Sequence, residues 1–83
     1  MKRGGHRPWR PVTAQDLRAF GKETVALALQ AAEDGWLGRL SSKGHMIMRS
    51  PDGRATMSLG RLEGKRALRN NLADYRRWQR SRG

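Results

Sequence analysis

The sequence predicts a small α+β domain in the order α-β-β-β-α, a three-stranded antiparallel sheet with helices packed on one of its faces. Three observations support this. Two stretches, one in each half of the chain, repeat apolar residues at helical spacing. Three short runs between them have the length and residue types of strands. The triplet Pro51-Asp52-Gly53 separates the last two runs and is a strong turn signal, because Pro presets φ and Gly accepts φ > 0.

Taken in order, residues 1–12 (MKRGGHRPWRPV) are rich in Gly, Pro and Arg and predict a flexible basic N-terminal arm. Within it, His6 is expected to be solvated. Trp9 is expected to pack back on the domain, with stacking on a base as the alternative. The domain proper is expected over residues 13–80. Thr13 is a candidate N-cap, with Asp16 three residues on imitating a capping box. A helix can then run from about Ala14 to Asp34, with Leu17, Phe20, Leu27 and Ala31 near one stripe and Val25, Leu29 and Ala32 widening it. Gly21 interrupts it and can divide it in two, since a mid-helix Gly costs about 1 kcal/mol. Gly35 is placed to end it.

Strands are expected at Trp36 to Ser41, His45 to Ser50 and Arg54 to Leu59, the last two forming an antiparallel hairpin. After a loop from Gly60 to Gly64, a second helix runs from Lys65 to about Arg80. Leu68, Leu72 and Tyr75 form its apolar seam, and Trp78 flanks it.

The chain has 83 residues, so it holds one small domain, and such a domain buries only about 60% of the surface its unfolded form exposes. It has no Cys, which removes disulfides and thiolate metal sites as supports and fits a reducing compartment. The formal charge is +11, from 18 basic and 7 acidic residues, and so dense a positive field attracts polyanions. No stretch approaches the roughly 20 apolar residues of a membrane span. No apolar segment follows the basic N-terminus as in a secretory signal. The expected location is cytoplasmic.

Alternation sorts the second strand into His45, Ile47 and Arg49 on one side and Met46, Met48 and Ser50 on the other. The methionines suit a core, which turns His45 and Arg49 outward with Ile47; Ile47 also suits a core, so the reverse assignment stays open. An outward His45 beside Lys43 and Arg49 suits RNA cleavage without a metal. A neutral imidazole is a competent base for the 2′-hydroxyl near pH 7, and the two cations can hold the phosphate. The plainer reading of a lone His is an ordinary strand-end residue.

Residues 35–53, GWLGRLSSKGHMIMRSPDG, resemble the HicA family of toxin mRNA interferases. Gly35-Trp36 matches the family's Gly-aromatic pair, and His45 falls at its catalytic His. Ile47, Arg49, Pro51, Asp52 and Gly53 continue the likeness. Ala55-Thr56-Met57 resembles its third strand, and the Leu68/Leu72 helix its closing helix. The resemblance spans roughly residues 24 to 75. It implies a double-stranded-RNA-binding-domain-like fold, endoribonuclease activity without a cofactor, and an acidic HicB-like antitoxin as partner. Four departures stand out. Lys43-Gly44 replaces the Gly-Ser before the His and removes a hydroxyl, Leu59-Gly60-Arg61 replaces a Pro-x-His, the N-terminal segment is longer, and the last helix is more basic.

The expected function is therefore that of a HicA-like ribonuclease acting on single-stranded RNA, with His45 as general base. Lys43, Arg49, Arg54, Lys65, Arg66, Arg69, Arg76 and Arg77 are the expected phosphate contacts, and no metal or other cofactor is expected. The alternative is a non-catalytic module of the same fold, holding nucleic acid or an acidic protein through its arginines. Either would act as a monomer or small homo-oligomer and away from membranes.

Overall fold

A computed structural model describes residues 9–61 and 64–82. Of the expected arm, residues 1–8, with His6, lie outside the described residues, as do Leu62 and Glu63 of the loop before the last helix. The fold is the expected α+β one: helix α1 (Lys22–Glu33), strands β1 (Leu37–Leu40), β2 (Met46–Arg49) and β3 (Thr56–Leu59), and helix α2 (Lys65–Arg82). The strands form one antiparallel sheet in the order β1-β2-β3. Among the described residues no helix is long and apolar enough to cross a membrane.

The first helical stretch divides at Gly21. Thr13 caps a short 3₁₀ turn, Ala14–Leu17, through a reciprocal capping box with Asp16. The chain then extends at Gly21 (φ −66°, ψ 156°), which becomes the N-cap of α1. The end of α1 follows from Gly35, whose φ of +94° suits a residue without Cβ. The Gly35 N–H donates to the Ala32 carbonyl (3.0 Å) and the Trp36 N–H to the Ala31 carbonyl (3.1 Å), closing a Schellman motif.

Burial follows the strand alternation. Met46, Met48, Met57 and Leu59 are buried under the helices, whereas Arg49, Thr56 and Ser58 are exposed. Trp36, at the α1–β1 junction, is fully buried. It meets the rings of Tyr75 (5.8 Å, 69°) and Trp78 (5.3 Å, 82°) edge-on, geometries worth about 0.5–1.5 kcal/mol each beyond simple burial. Its indole N–H has no hydrogen-bond partner among the described residues.

Polar ties fix α2 at both ends of this aromatic cluster. Tyr75 donates its hydroxyl to Asp34, which also accepts from Gln79 Nε2 (3.0 Å). Trp78 donates Nε1–H to Asp52 Oδ1 (3.0 Å). Trp78, expected only to flank the seam, is therefore a core residue, 4% exposed.

The expected boundary between arm and domain moves. Arg10 exchanges both backbone hydrogen bonds with Gly38 of β1 (3.1 and 2.8 Å), and Val12 is buried. Residues 9–12 thus extend the sheet edge and belong to the domain. Gly38 permits this close approach: a Cβ there would overlap Val12 Cγ2 and stand 3.0 Å from Met46 Sδ.

Candidate functional site

The strand register builds the outer face of the sheet. Leu37 stands opposite Arg49 and Arg39 opposite Ile47, with Ser58 and Thr56 paired to Ile47 and Arg49 from β3. His45 precedes β2 by one residue and continues this face. Its carbonyl accepts from the Ser41 N–H (2.8 Å), and its own N–H donates to Ser41 Oγ (3.1 Å). The backbone is held on both sides while the imidazole is exposed. Among the described residues the ring has no hydrogen-bond partner.

The Ser41 hydroxyl thus serves to hold the His45 backbone. Gly44 has φ +84°, a conformation that costs other L-residues about 1–2 kcal/mol, so the turn that presents His45 favours Gly where the resemblance has Ser.

The cations expected around His45 divide into separate groups. Lys43 is exposed in the Ser41–Gly44 turn, and the Arg61 guanidinium comes within 3.3 Å of the position a Cβ would take on Gly44. Arg61 is not marked out by the sequence, because only pairing of β2 with β3 brings it beside the turn. Arg39, also unmarked, lies on the same face one strand over, and Arg49 stands at the far end of β2. No acidic residue occurs on the outward positions of the three strands.

Helix α2 returns antiparallel to β3: Asn71 Nδ2 donates to the Ser58 carbonyl (3.2 Å), and Trp78 lies over Asp52. Lys65 and Arg66 therefore sit at the His45 end of the sheet, in the first turn of α2. Arg69, Arg76 and Arg77, joined by Arg80, line the exposed side of α2. The buried Tyr75 and Trp78 face the sheet, so this arginine stripe looks away from it, on the opposite side of the molecule from His45. Arg54 borders a recess with Arg77 and Trp78 at the turn end. Arg49 thus shares a face with His45, Lys43 lies in the turn that precedes it, and Arg54, Arg69, Arg76 and Arg77 lie elsewhere.

Asp52 has a structural role. Its Oδ1 accepts from Ser50 Oγ (2.6 Å), the Arg54 N–H (3.1 Å) and Trp78 Nε1. These donors, the Ser50 hydroxyl foremost, lower its carboxyl to about 2. The Pro-Asp-Gly turn, closed by the Gly53 N–H on the Ser50 carbonyl (3.0 Å), is thereby fastened to α2.

Trp9 joins the outer face. With Arg10 bridged to Gly38, alternation sets Trp9 against Arg39, whose guanidinium lies 4.6 Å from the ring centroid. The Arg10 guanidinium grips Asp16 with both nitrogens, which lowers the Asp16 carboxyl to about 2 and holds this edge segment down. Trp9 packs on the domain, as expected, and on the face that displays His45.

The arrangement offers an accessible imidazole, a surrounding positive field and an aromatic ring on one surface. Compared with known proteins, the chain matches no family model, no curated protein and no solved structure.

Proposed function

We propose that this protein is an RNA-binding ribonuclease of the HicA kind, with His45 as the general base. The observation behind this reading is the exposed imidazole on a sheet face whose charged side chains are all basic. In the proposed reaction, neutral His45 takes the proton of a ribose 2′-hydroxyl. The 2′-oxygen attacks the adjacent phosphorus and the bond to the 5′-oxygen breaks, leaving a 2′,3′-cyclic phosphate and a 5′-hydroxyl. The leaving oxygen takes its proton from water or from the imidazolium just formed. Lys43 and Arg61, at the turn that precedes His45, are proposed to meet the charge that grows on the phosphorane. Messenger RNA as substrate implies action in the cytoplasm, and an acidic HicB-like antitoxin remains the expected partner.

The test compares purified wild type with His45→Ala on a bare, unstructured RNA in the presence of EDTA. Loss of a general base costs about 10²–10⁴-fold in rate. Equal cleavage by the two proteins would end this reading.

The arginine stripe of α2 favours a second reading, a non-catalytic nucleic-acid-binding module. It sets four guanidiniums, Arg69, Arg76, Arg77 and Arg80, on the side of the molecule away from His45. In that case wild type binds RNA with a steep salt dependence and leaves it intact.

A further inference from the structure

Trp9 differs from the other two tryptophans. Trp36 and Trp78 are 0% and 4% exposed in the core, whereas Trp9 is half-buried on the outer sheet face. Beside it, Leu37 is the one exposed large hydrophobic among the described residues. An open recess of about 280 Å³ lies between these two side chains, Arg49 and the Ser50–Gly53 turn. That volume is at the small end of ligand pockets and suits a single planar ring. Arg39 stacks on Trp9, and Arg49 borders the recess, so each apolar surface has a guanidinium next to it.

We infer that Trp9, Leu37 and Arg49 form a subsite for one unpaired nucleobase of a single-stranded RNA, with Arg39 and Arg49 holding the flanking phosphates. This deepens the function proposed above and rests on RNA being the ligand. Three observations favour this occupant. Aromatic rings beside cations are the recurring platform for single strands, because every base has a π-face. The backbone bridge of Arg10 to Gly38 and the Arg10–Asp16 ion pair hold Trp9 in place before any ligand arrives. The recess also lies on the same face as His45, about 13 Å along β2 from it at strand rise, so one bound strand reaches both. A base held there sets which phosphodiester meets His45, and so gives the nuclease its register.

The test uses the full chain carrying His45→Ala, so that the RNA stays intact. An unstructured RNA and an abasic ribose-phosphate strand of equal length are titrated into it and into its Trp9→Ala and Trp9→Phe derivatives. Binding is followed by anisotropy of the labelled strand and by tryptophan emission. The expected result is that RNA quenches Trp9, that Trp9→Ala weakens RNA binding about tenfold, and that Trp9→Phe restores most of it. The abasic strand should bind all three proteins equally. Unchanged RNA affinity in Trp9→Ala overturns the subsite, and so does an equal loss for the abasic strand. Either result leaves the nuclease reading standing if wild type cleaves and His45→Ala does not. Base-dependent binding at Trp9, with equal cleavage by wild type and His45→Ala, sustains the subsite and removes the nuclease.

Discussion

The molecule carries two basic surfaces that differ in kind. The outer sheet face mixes cations with an imidazole, an indole and an exposed leucine, all held by strand register. The outer side of α2 is a run of arginines at helical spacing, with neither aromatic nor imidazole among them. Guanidiniums alone supply sequence-independent attraction that fades with salt. Proton transfer needs a group that both takes and gives a proton, and holding an unpaired base needs a ring to stack on. Only the sheet face has both. Net charge counts the two surfaces together, whereas the fold puts them on opposite sides.

Trp78 joins the two surfaces, since it fastens α2 to the turn beneath the sheet. Trp78→Ala is expected to cost about 3–5 kcal/mol, read by denaturant unfolding, and to weaken both surfaces together. Intact stability would mean that the aromatic cluster does not hold the layers.

Replacing Arg69, Arg76 and Arg80 by Gln should separate the surfaces. If each contacts one phosphate of a single strand, the slope of log affinity against log salt falls by about 2. The rate at saturating RNA should stay that of wild type. A loss of saturated rate with no change of slope would place those arginines in the reaction.

Gly44→Ser restores the residue that the HicA likeness would put before the His. Because Gly44 has φ +84°, the change is expected to destabilise the protein by about 1–2 kcal/mol in thermal unfolding. Cleavage should not rise, since the strained turn is expected to present His45 less well. Faster cleavage by Gly44→Ser would show that the turn accommodates a side chain there and that the added hydroxyl contributes.

The smallest effect at neutral pH comes from the two anchoring carboxylates. Asp16 and Asp52 are lowered from 3.8 to about 2 in the folded protein. A depressed folded value means that their stabilisation is complete above the unfolded value of 3.8. It is lost as pH falls through the folded one. Denaturant midpoints should therefore decline between about pH 4 and 2. Asp52→Asn should flatten part of that decline, and an unchanged profile would remove Asp52 from this role.

Much of the fold is legible in the sequence because its signals are local. Gly35 ends α1, Pro51-Asp52-Gly53 turns the hairpin, and the alternation of Met46 and Met48 with Ile47 and Arg49 sets the faces of β2. The features that are not legible depend on contacts between distant residues. Trp78 sits off the Leu68/Leu72/Tyr75 seam, and its burial follows from Trp36 and Asp52, 42 and 26 residues away. The docking of residues 9–12 depends on Gly38, a glycine whose missing Cβ carries no local signal of what approaches it. Arg39 is hidden for the same reason, since only strand pairing brings it to the face of His45, and Arg61 meets the turn before His45 only once β3 pairs with β2. Residue type alone does not separate the α2 stripe from the cations of the sheet.

Cleavage and binding of one unstructured RNA by wild type and His45→Ala, measured side by side, decide whether His45 is the base. Wild type is expected to release fragments ending in a cyclic phosphate. His45→Ala should bind with wild-type affinity and cleave at least about 10²-fold more slowly. Equal cleavage by both proteins, or none by wild type, would contradict the assignment of His45 as the base.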